Sequence, residues 1–275
     1  DSKLTFEKHI NENLKIANKH IGVLKYLSAY VPLKTLNQIY KSFIRPHLDY
    51  GDVLYHIPSS VNMFYSAVTL HPLMEVIERV QYRAALAITG SWLGSNRNKV
   101  FEELGWESLS DRRWFRRLFL LYKIYNNMTP KYLKDNLPPL RHFLYGEDNP
   151  RVLRNIFCNT KRYMNSFFPD SIKIWNNFGK DFQPCNSPFI FKKQIINIIR
   201  PTPKYTFDIY DPIGLKYLYQ LRLSLSRLRS HKMNHGFADT LNDWCTCKCA
   251  PDNTCHFFFH CPMYAQHRLN LINSV

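Results

Sequence analysis

Apolar positions along the chain recur mostly at spacings of three and four, the period of an amphipathic helix. Residues 5–27 carry Ile10, Leu14, Ala17, Ile21 and Leu24 as one stripe. Pro32 stands where a second helix would start, and Leu33, Leu36, Ile39, Tyr40 and Phe43 follow on one face. Pro46 and the turn-prone Asp49-Tyr50-Gly51-Asp52 are expected to end it. Residues 74–89 predict a third helix, with Ile77, Val80, Ala84 and Ala87 inward and Gly90 at the stop. Residues 107–126 predict a fourth. Its apolar stripe is Trp114, Leu118, Leu121 and Tyr125, which leaves Arg112, Arg113, Arg116, Arg117 and Lys123 as a solvated flank.

The pattern then changes. Pro130, Pro138, Pro139, Pro150 and Pro169 interrupt any long helix, and short strands are expected at 155–158 and 163–168. Shorter helices follow at 170–178, with Ile172 and Trp175, and at 187–199, with Phe191, Ile195 and Ile198. Pro201 and Pro203 mark a boundary, and 213–230 reads as a last long helix striped by Leu218, Leu221, Leu225 and Leu228. The expected fold is mainly α. A helical domain covers 1–126, a Pro-rich linker and small mixed region 127–212, and a basic helix with a small cysteine-rich module 213–275.

Composition narrows the class. Apolar residues make up 45% of the 275, enough for a packed core, which excludes a disordered chain. No apolar run approaches the length of a membrane span, and no apolar segment near the start suits a secretion signal. An intracellular protein, nuclear or cytoplasmic, is the expectation, although no dense Lys/Arg run suggests a nuclear import signal. The first residue is Asp1, so the chain reads as a fragment.

Charge points to a partner. Lys and Arg number 37 against 21 Asp and Glu, a net charge of +16, which usually means a polyanion nearby. Residues 212–238 hold no acidic side chain yet carry Lys216, Arg222, Arg227, Arg229 and Lys232. Nucleic acid is the leading candidate. Arg222, Arg227 and Arg229 are the best phosphate contacts, with Arg112, Arg113, Arg116 and Arg117 behind them.

The cysteines carry the sharpest signal. Cys245, Cys247, Cys249, Cys255 and Cys261 fall within 17 residues, interleaved with His256 and His260. A tight cluster of this kind reads as a metal site rather than a disulfide framework. The best-spaced set is Cys245, Cys247, His256 and Cys261, a donor set suited to tetrahedral zinc. Four protein ligands would close the shell and make the site structural. Cys249, Cys255 and His260 remain spare candidates, so the register is open.

Several chemistries have no residues to perform them. There is no Asp-Asp pair for two-metal phosphoryl transfer, no phosphate loop, no nucleophile elbow and no His-Glu-x2-His. Asp49 and Asp52 read as turn residues. His47, His142 and His231 show no recognisable partner.

Several segments together resemble the C-terminal part of a non-LTR, LINE-type, jockey-like retrotransposon reverse transcriptase. Asp1-Ser2-Lys3-Leu4-Thr5-Phe6 is similar to the entry into the thumb. Ile39-Tyr40-Lys41-Ser42-Phe43-Ile44-Arg45-Pro46 with Leu48-Asp49-Tyr50-Gly51 is similar to a thumb helix and its turn. Ile77 to Ala85 and Ile88-Thr89-Gly90 resemble the next helix. Ser166-Phe167-Phe168-Pro169 with Ile174-Trp175-Asn176 resembles a linker motif. Cys245, Cys247, His256 and Cys261-Pro262, followed by Arg268, resembles the terminal Cys/His motif, with Lys248 where a glycine is common.

The resemblance implies a thumb-like domain, a linker and a zinc-knuckle-like module that hold RNA and DNA, either template and primer or the target site. It places the catalytic aspartates, and the Mg they would bind, in an upstream palm domain of the same polyprotein. Fingers, and an endonuclease domain, would lie upstream as well. The parent would be an RNA-directed DNA polymerase. This chain would have no polymerase centre of its own. The alternative is an inactive element remnant or a protein-interaction module.

Overall fold

The computed structural model describes residues 5–58, 60–62, 67–69, 71–140, 152–178, 187–199 and 211–273. The chain is mainly helical, as its periodicity implies. Helix α1 (Glu7–Leu27) buries Ile10, Leu14, Ala17, Ile21 and Leu24, the stripe read from its spacing. It packs along α5 (Pro72–Thr89), which buries Ile77, Val80 and Ala84 while Ala87 stays half-buried. Pro72 takes the first turn of α5, where a missing N–H is harmless, and Gly90 ends it at φ 64.

Between them lies a continuous helical run with one irregular turn. Helix α2 (Leu33–Ile39) passes into a π turn (Tyr40–Ile44) and then α3 (Arg45–Asp49). A π turn inserts one residue into the helical register. The inward positions therefore run Leu33, Leu36, Tyr40, Ile44 and Leu48, and Phe43 faces solvent. The expected inward Phe43 is corrected on this ground. Pro46 does not end the run: it sits in the first turn of α3, and the backbone turns only at Tyr50 and Gly51, before the short α4 (Asp52–Tyr55). A two-stranded antiparallel hairpin, β1 (Ser60–Asn62) with β2 (Ala67–Thr69), connects α4 to α5.

Helix α6 (Arg97–Leu104) begins at the Asn96 cap and stops at Gly105, φ 62. Helix α7 (Leu109–Tyr125) begins at Ser108, whose Oγ accepts from Asp111 N at 3.0 Å. Polar links run through the first core. Tyr40 Oη donates to Gln81 Oε1, Gln81 Nε2 donates to the Glu107 carbonyl, and Trp106 Nε1 donates to Asn37 Oδ1, each at 2.8–2.9 Å. Tyr40 and Trp106 also stack at 3.8 Å.

A second core forms on the far side of α7. Leu118, Leu121 and Tyr122 meet Ile172 and Trp175 of α10 (Phe167–Phe178) and Phe191 and Ile195 of α11 (Pro188–Ile199). Between α7 and α10 come two single turns, α8 (Lys131–Lys134) and α9 (Lys161–Met164). The expected strands are corrected: 155–158 is irregular, and 163–168 spans the end of α9 and the start of α10. Thr160 Oγ1 caps α9, and Pro169 falls in the first turn of α10, so both residues favour helix. Asn176 pins the neighbouring chain by acting as a peptide group. Its amide donates to the Leu153 carbonyl at 2.8 Å and accepts from Leu153 N at 3.0 Å.

The tail does not begin as a separate body. Helix α12 (Pro212–Arg222) returns to the first core, adding Leu215 and Tyr219, with Leu223 and Leu225 just beyond it. Gln220 Nε2 donates to the Gly90 carbonyl at 3.0 Å, and the Lys216 side chain lies where a β-carbon on residue 90 would stand. The expected single helix over 213–230 is broken. Ser224 takes φ 56, Leu225 N donates to the Gln220 carbonyl, and helix resumes only at α13 (Arg229–Asn234). The chain closes through a π turn (His256–His260) and α14 (Ala265–Asn273). No helix among the described residues is long and apolar enough to cross a membrane. The Pro201–Pro203 boundary lies outside the described residues.

Candidate metal centre and the cations around it

The Cys/His segment folds as a knuckle and a turn that face each other. In the knuckle, Cys245 N donates to the Ala250 carbonyl and Lys248 N to the Cys245 carbonyl, at 3.0 and 2.9 Å. This bend forces Lys248 into the left-handed region at φ 60, the conformation that favours glycine. In the turn, Asn253 Oδ1 accepts from His256 N, and Cys261 N donates to the His256 carbonyl at 2.7 Å, one π turn back. Five residues along a regular α-helix differ by about 140° around the axis, so an α turn would aim His256 and Cys261 apart. The π turn brings them to one side.

The result is a compact donor set. The ligand atoms of Cys245, Cys247, His256 and Cys261 all lie within 4.8 Å of one another, and the four side chains could hold a metal ion. Cys245 Sγ and Cys261 Sγ are 3.7 Å apart. That matches the edge of a zinc–thiolate tetrahedron, about 3.8 Å for bonds of about 2.3 Å. Cys247 Sγ and His256 Nε2 are closer, at 3.1 Å. Cys249, Cys255 and His260 are exposed and stay outside the cluster, which chooses between the registers that spacing left open.

The surroundings suit thiolates unevenly. The Cys249 N–H pointing at Cys247 Sγ, helped by His256, holds the Cys247 thiol down at about 6. Burial pushes the Cys261 thiol up. Arg268 clamps the turn from α14 by donating to the Phe257 and Cys261 carbonyls at 3.2 and 2.7 Å. Phe257 packs against Tyr264 at 4.7 Å, while Phe259 is largely exposed.

Sequence reasoning missed the residues that attach this module to α13. Asp252 Oδ2 accepts from Arg229 N, and the Asp252 carbonyl accepts from Ser230. His231 is not partnerless. It is buried, with Nδ1 2.8 Å from Ser226 Oγ and Nε2 3.3 Å from Thr254 Oγ1, and burial lowers its pKa. The His47 ring meets the His20 ring at 5.6 Å, and His142 lies outside the described residues. No local pattern marks Asp252, whose partners on α13 lie more than twenty residues away, and His231 joins a local partner, Ser226, to a distant one, Thr254.

The arginines of α7 need the plainest correction. They do not form a solvated flank, because α7 is covered on both sides by the two cores. Arg117 is 0% exposed, and its guanidinium donates to the carbonyls of Val53, His56 and Asn165 and, at 2.6 Å, to Asp170 Oδ2. Arg113 is 1% exposed, against Met74 Sδ and the Tyr55 ring. Arg112 is held by Asp49 and Glu107, and Arg116 by Asp49 and Asp52. Asp49 and Asp52 are thus internal counter-ions. Burial first, then nearby Asp49, pushes Asp52 up to about 6 against the pull of Arg116 and Arg113.

Among the tail arginines, Arg222 pairs with Glu103 at 3.3 Å and ties α12 to α6. Arg229 is exposed, with Nη1 on the Trp244 carbonyl at 3.1 Å. Arg227 is exposed and makes no ion pair among the described residues. The seven arginines are therefore not one surface: Arg113 and Arg117 are buried, Arg112 and Arg116 are partly buried and held by carboxylates, Arg229 contacts the metal module, and Arg227 is exposed.

No protein-family model matches the chain, and no curated protein or solved structure matches it.

Proposed function

We propose that this chain is a nucleic-acid-binding C-terminal portion of a jockey-like, non-LTR reverse transcriptase. In this reading it holds template and primer, or target DNA, for a polymerase centre elsewhere on the polypeptide. The observation that carries the reading is the Cys245, Cys247, His256, Cys261 cluster with exposed Arg229 attached to the same module, in a chain of net charge +16. The metal proposed is Zn²⁺, because three thiolates and one imidazole complete its tetrahedron and leave no position for a reacting water. Its role is to hold the knuckle and the π turn together. The chain's own cations would meet phosphates and position the nucleic acid without reading its sequence.

The exposed aromatic side chains of α1 and the loop beyond it, Tyr26 and Tyr30 at 70% exposure, favour a protein-interaction module as the second reading. Filter binding of the zinc-loaded full chain to a labelled RNA/DNA hybrid separates the two. Binding should weaken steeply with salt, with a log–log slope of about −0.7 to −0.9 per phosphate contacted. Absence of binding at low salt, or an affinity indifferent to salt, overturns the nucleic-acid reading.

A further inference from the structure

Beside the metal module, α13 and the loop after it enclose a cleft of about 350 Å³ lined by Arg229, Lys232, Asp239, Thr240, Leu241 and Asn242. Its loop wall is fixed at both ends. At one end the Phe237 ring lies 5.1 Å from Trp92 of the first core, and Phe237 N donates to the Lys232 carbonyl. At the other end, Trp244 N donates to Asn242 Oδ1, Arg229 holds the Trp244 carbonyl, and Cys245 follows directly. Between these anchors Leu241 stands 95% exposed, and Trp244, whose carbonyl Arg229 holds, is half-exposed. Leu241 thus presents apolar surface to whatever occupies the cleft.

The chemistry of the cleft is mixed in a specific way. Two cations, Arg229 and Lys232, face one carboxylate, Asp239, which pairs with Lys232 at 2.7 Å. Thr240 and Asn242 add hydroxyl and amide groups able to donate and accept. The volume is at the small end of ligand sites, so a duplex cannot enter, but one unstacked nucleotide can. Proteins take single strands by this combination: cations on the backbone, and apolar or aromatic faces and hydrogen-bonding groups on the base.

We propose that this cleft holds one nucleotide of a single strand. The phosphate sits on Lys232 and Arg229, the base edge on Thr240 and Asn242, and the base face against Leu241 and Trp244. The assignment rests on the nucleic-acid reading above and adds the strandedness and the seat. Asp239 opposes the incoming phosphate and occupies Lys232, so it acts as a brake on affinity.

The test is fluorescence anisotropy of the zinc-loaded full chain with two probes, a short oligo-uridine and a blunt RNA/DNA hybrid. Lys232→Gln should weaken oligo-uridine binding about five- to tenfold and reduce the salt slope by about 0.7, for one lost phosphate contact. Asp239→Asn should tighten it about three- to tenfold, a gain that a merely structural residue would not give. Hybrid binding should change less than about twofold in both. If the native chain binds but both variants leave the oligo-uridine affinity and slope unchanged, the cleft is not the seat and the broader reading survives. If the native chain binds neither probe, both fall together.

Discussion

Arg117 and Arg227 belong to stretches that look alike in the sequence, yet the fold puts them to opposite uses. Arg117 lies between two cores, and three carbonyls and the Asp170 carboxylate converge on it. Arg227 lies in the broken segment after α12, exposed and without an ion pair among the described residues. The difference teaches that a charge surplus is not a charged surface. What decides is whether acceptors from distant segments converge on the cation, and helical spacing does not report that.

The same contrast separates two ways of holding a structure. The described residues up to Tyr125 rest on buried apolar stripes and internal ion pairs, while 226–268 rests on a small ligand cluster with few buried apolar side chains. The largest expected effect therefore comes from the metal. Structural zinc in small modules supplies on the order of 10 kcal/mol of folding free energy. Cys261→Ser in the full chain should abolish stoichiometric zinc and strip hydrogen-exchange protection from 226–268, leaving α1 and α5 protected. Full zinc retention by that variant would remove Cys261 from the ligand set.

Next comes the interior cation. Arg117→Met leaves Asp170 buried without its partner and should cost about 3–5 kcal/mol in denaturant unfolding. A loss below about 1 kcal/mol would mean that Arg117 is solvated after all.

Asp52 gives a smaller effect with a definite pH signature. Its carboxyl is raised from the ordinary 3.8 to about 6 in the fold. Its ionisation therefore burdens the native state above pH 6, and the burden lifts as pH falls toward 3.8. Asp52→Asn should be more stable than the native chain by roughly 1–3 kcal/mol at pH 7.5, with the difference vanishing near pH 4. His56, held down to about 3 by burial and by Arg117 and Arg113, acts the other way: its neutral form favours the fold above 6.5, and that advantage fades as acid is added. Comparing the two chains at each pH isolates Asp52. A difference that does not vary with pH would refute the raised carboxyl.

The smallest effect belongs to the knuckle. Lys248 holds φ 60, so Lys248→Gly should stabilise the metal-loaded chain by about 1 kcal/mol without altering zinc stoichiometry. Thermal unfolding reads it, and a lowered midpoint would show that the lysine side chain contributes more than its backbone costs.

Much of the fold was legible in the sequence. The stripe of α1 and the glycine stop of α5 follow from spacing and local backbone preference alone. The departures have separate physical causes. Helical spacing misplaces Phe43 because a π turn shifts the register and leaves no mark in composition. Spacing makes the tail helix too long because its break occurs at Ser224, with no glycine or proline to announce it. Spacing puts Arg113 and Arg117 outside because one apolar stripe suggests one buried side, whereas α7 has two. The metal site is legible as a spacing, but the knuckle bend and the second π turn separate its four ligands from Cys249, Cys255 and His260.

The return of α12 to Gly90 sets an order of events during synthesis. Leu215 and Tyr219 fill a place in a core whose other walls were translated more than a hundred residues earlier. Until the ribosome has released them, the seat along α5 is open and apolar. A nascent chain halted before residue 211 would carry that open seat to whatever chaperone or neighbouring chain it meets first.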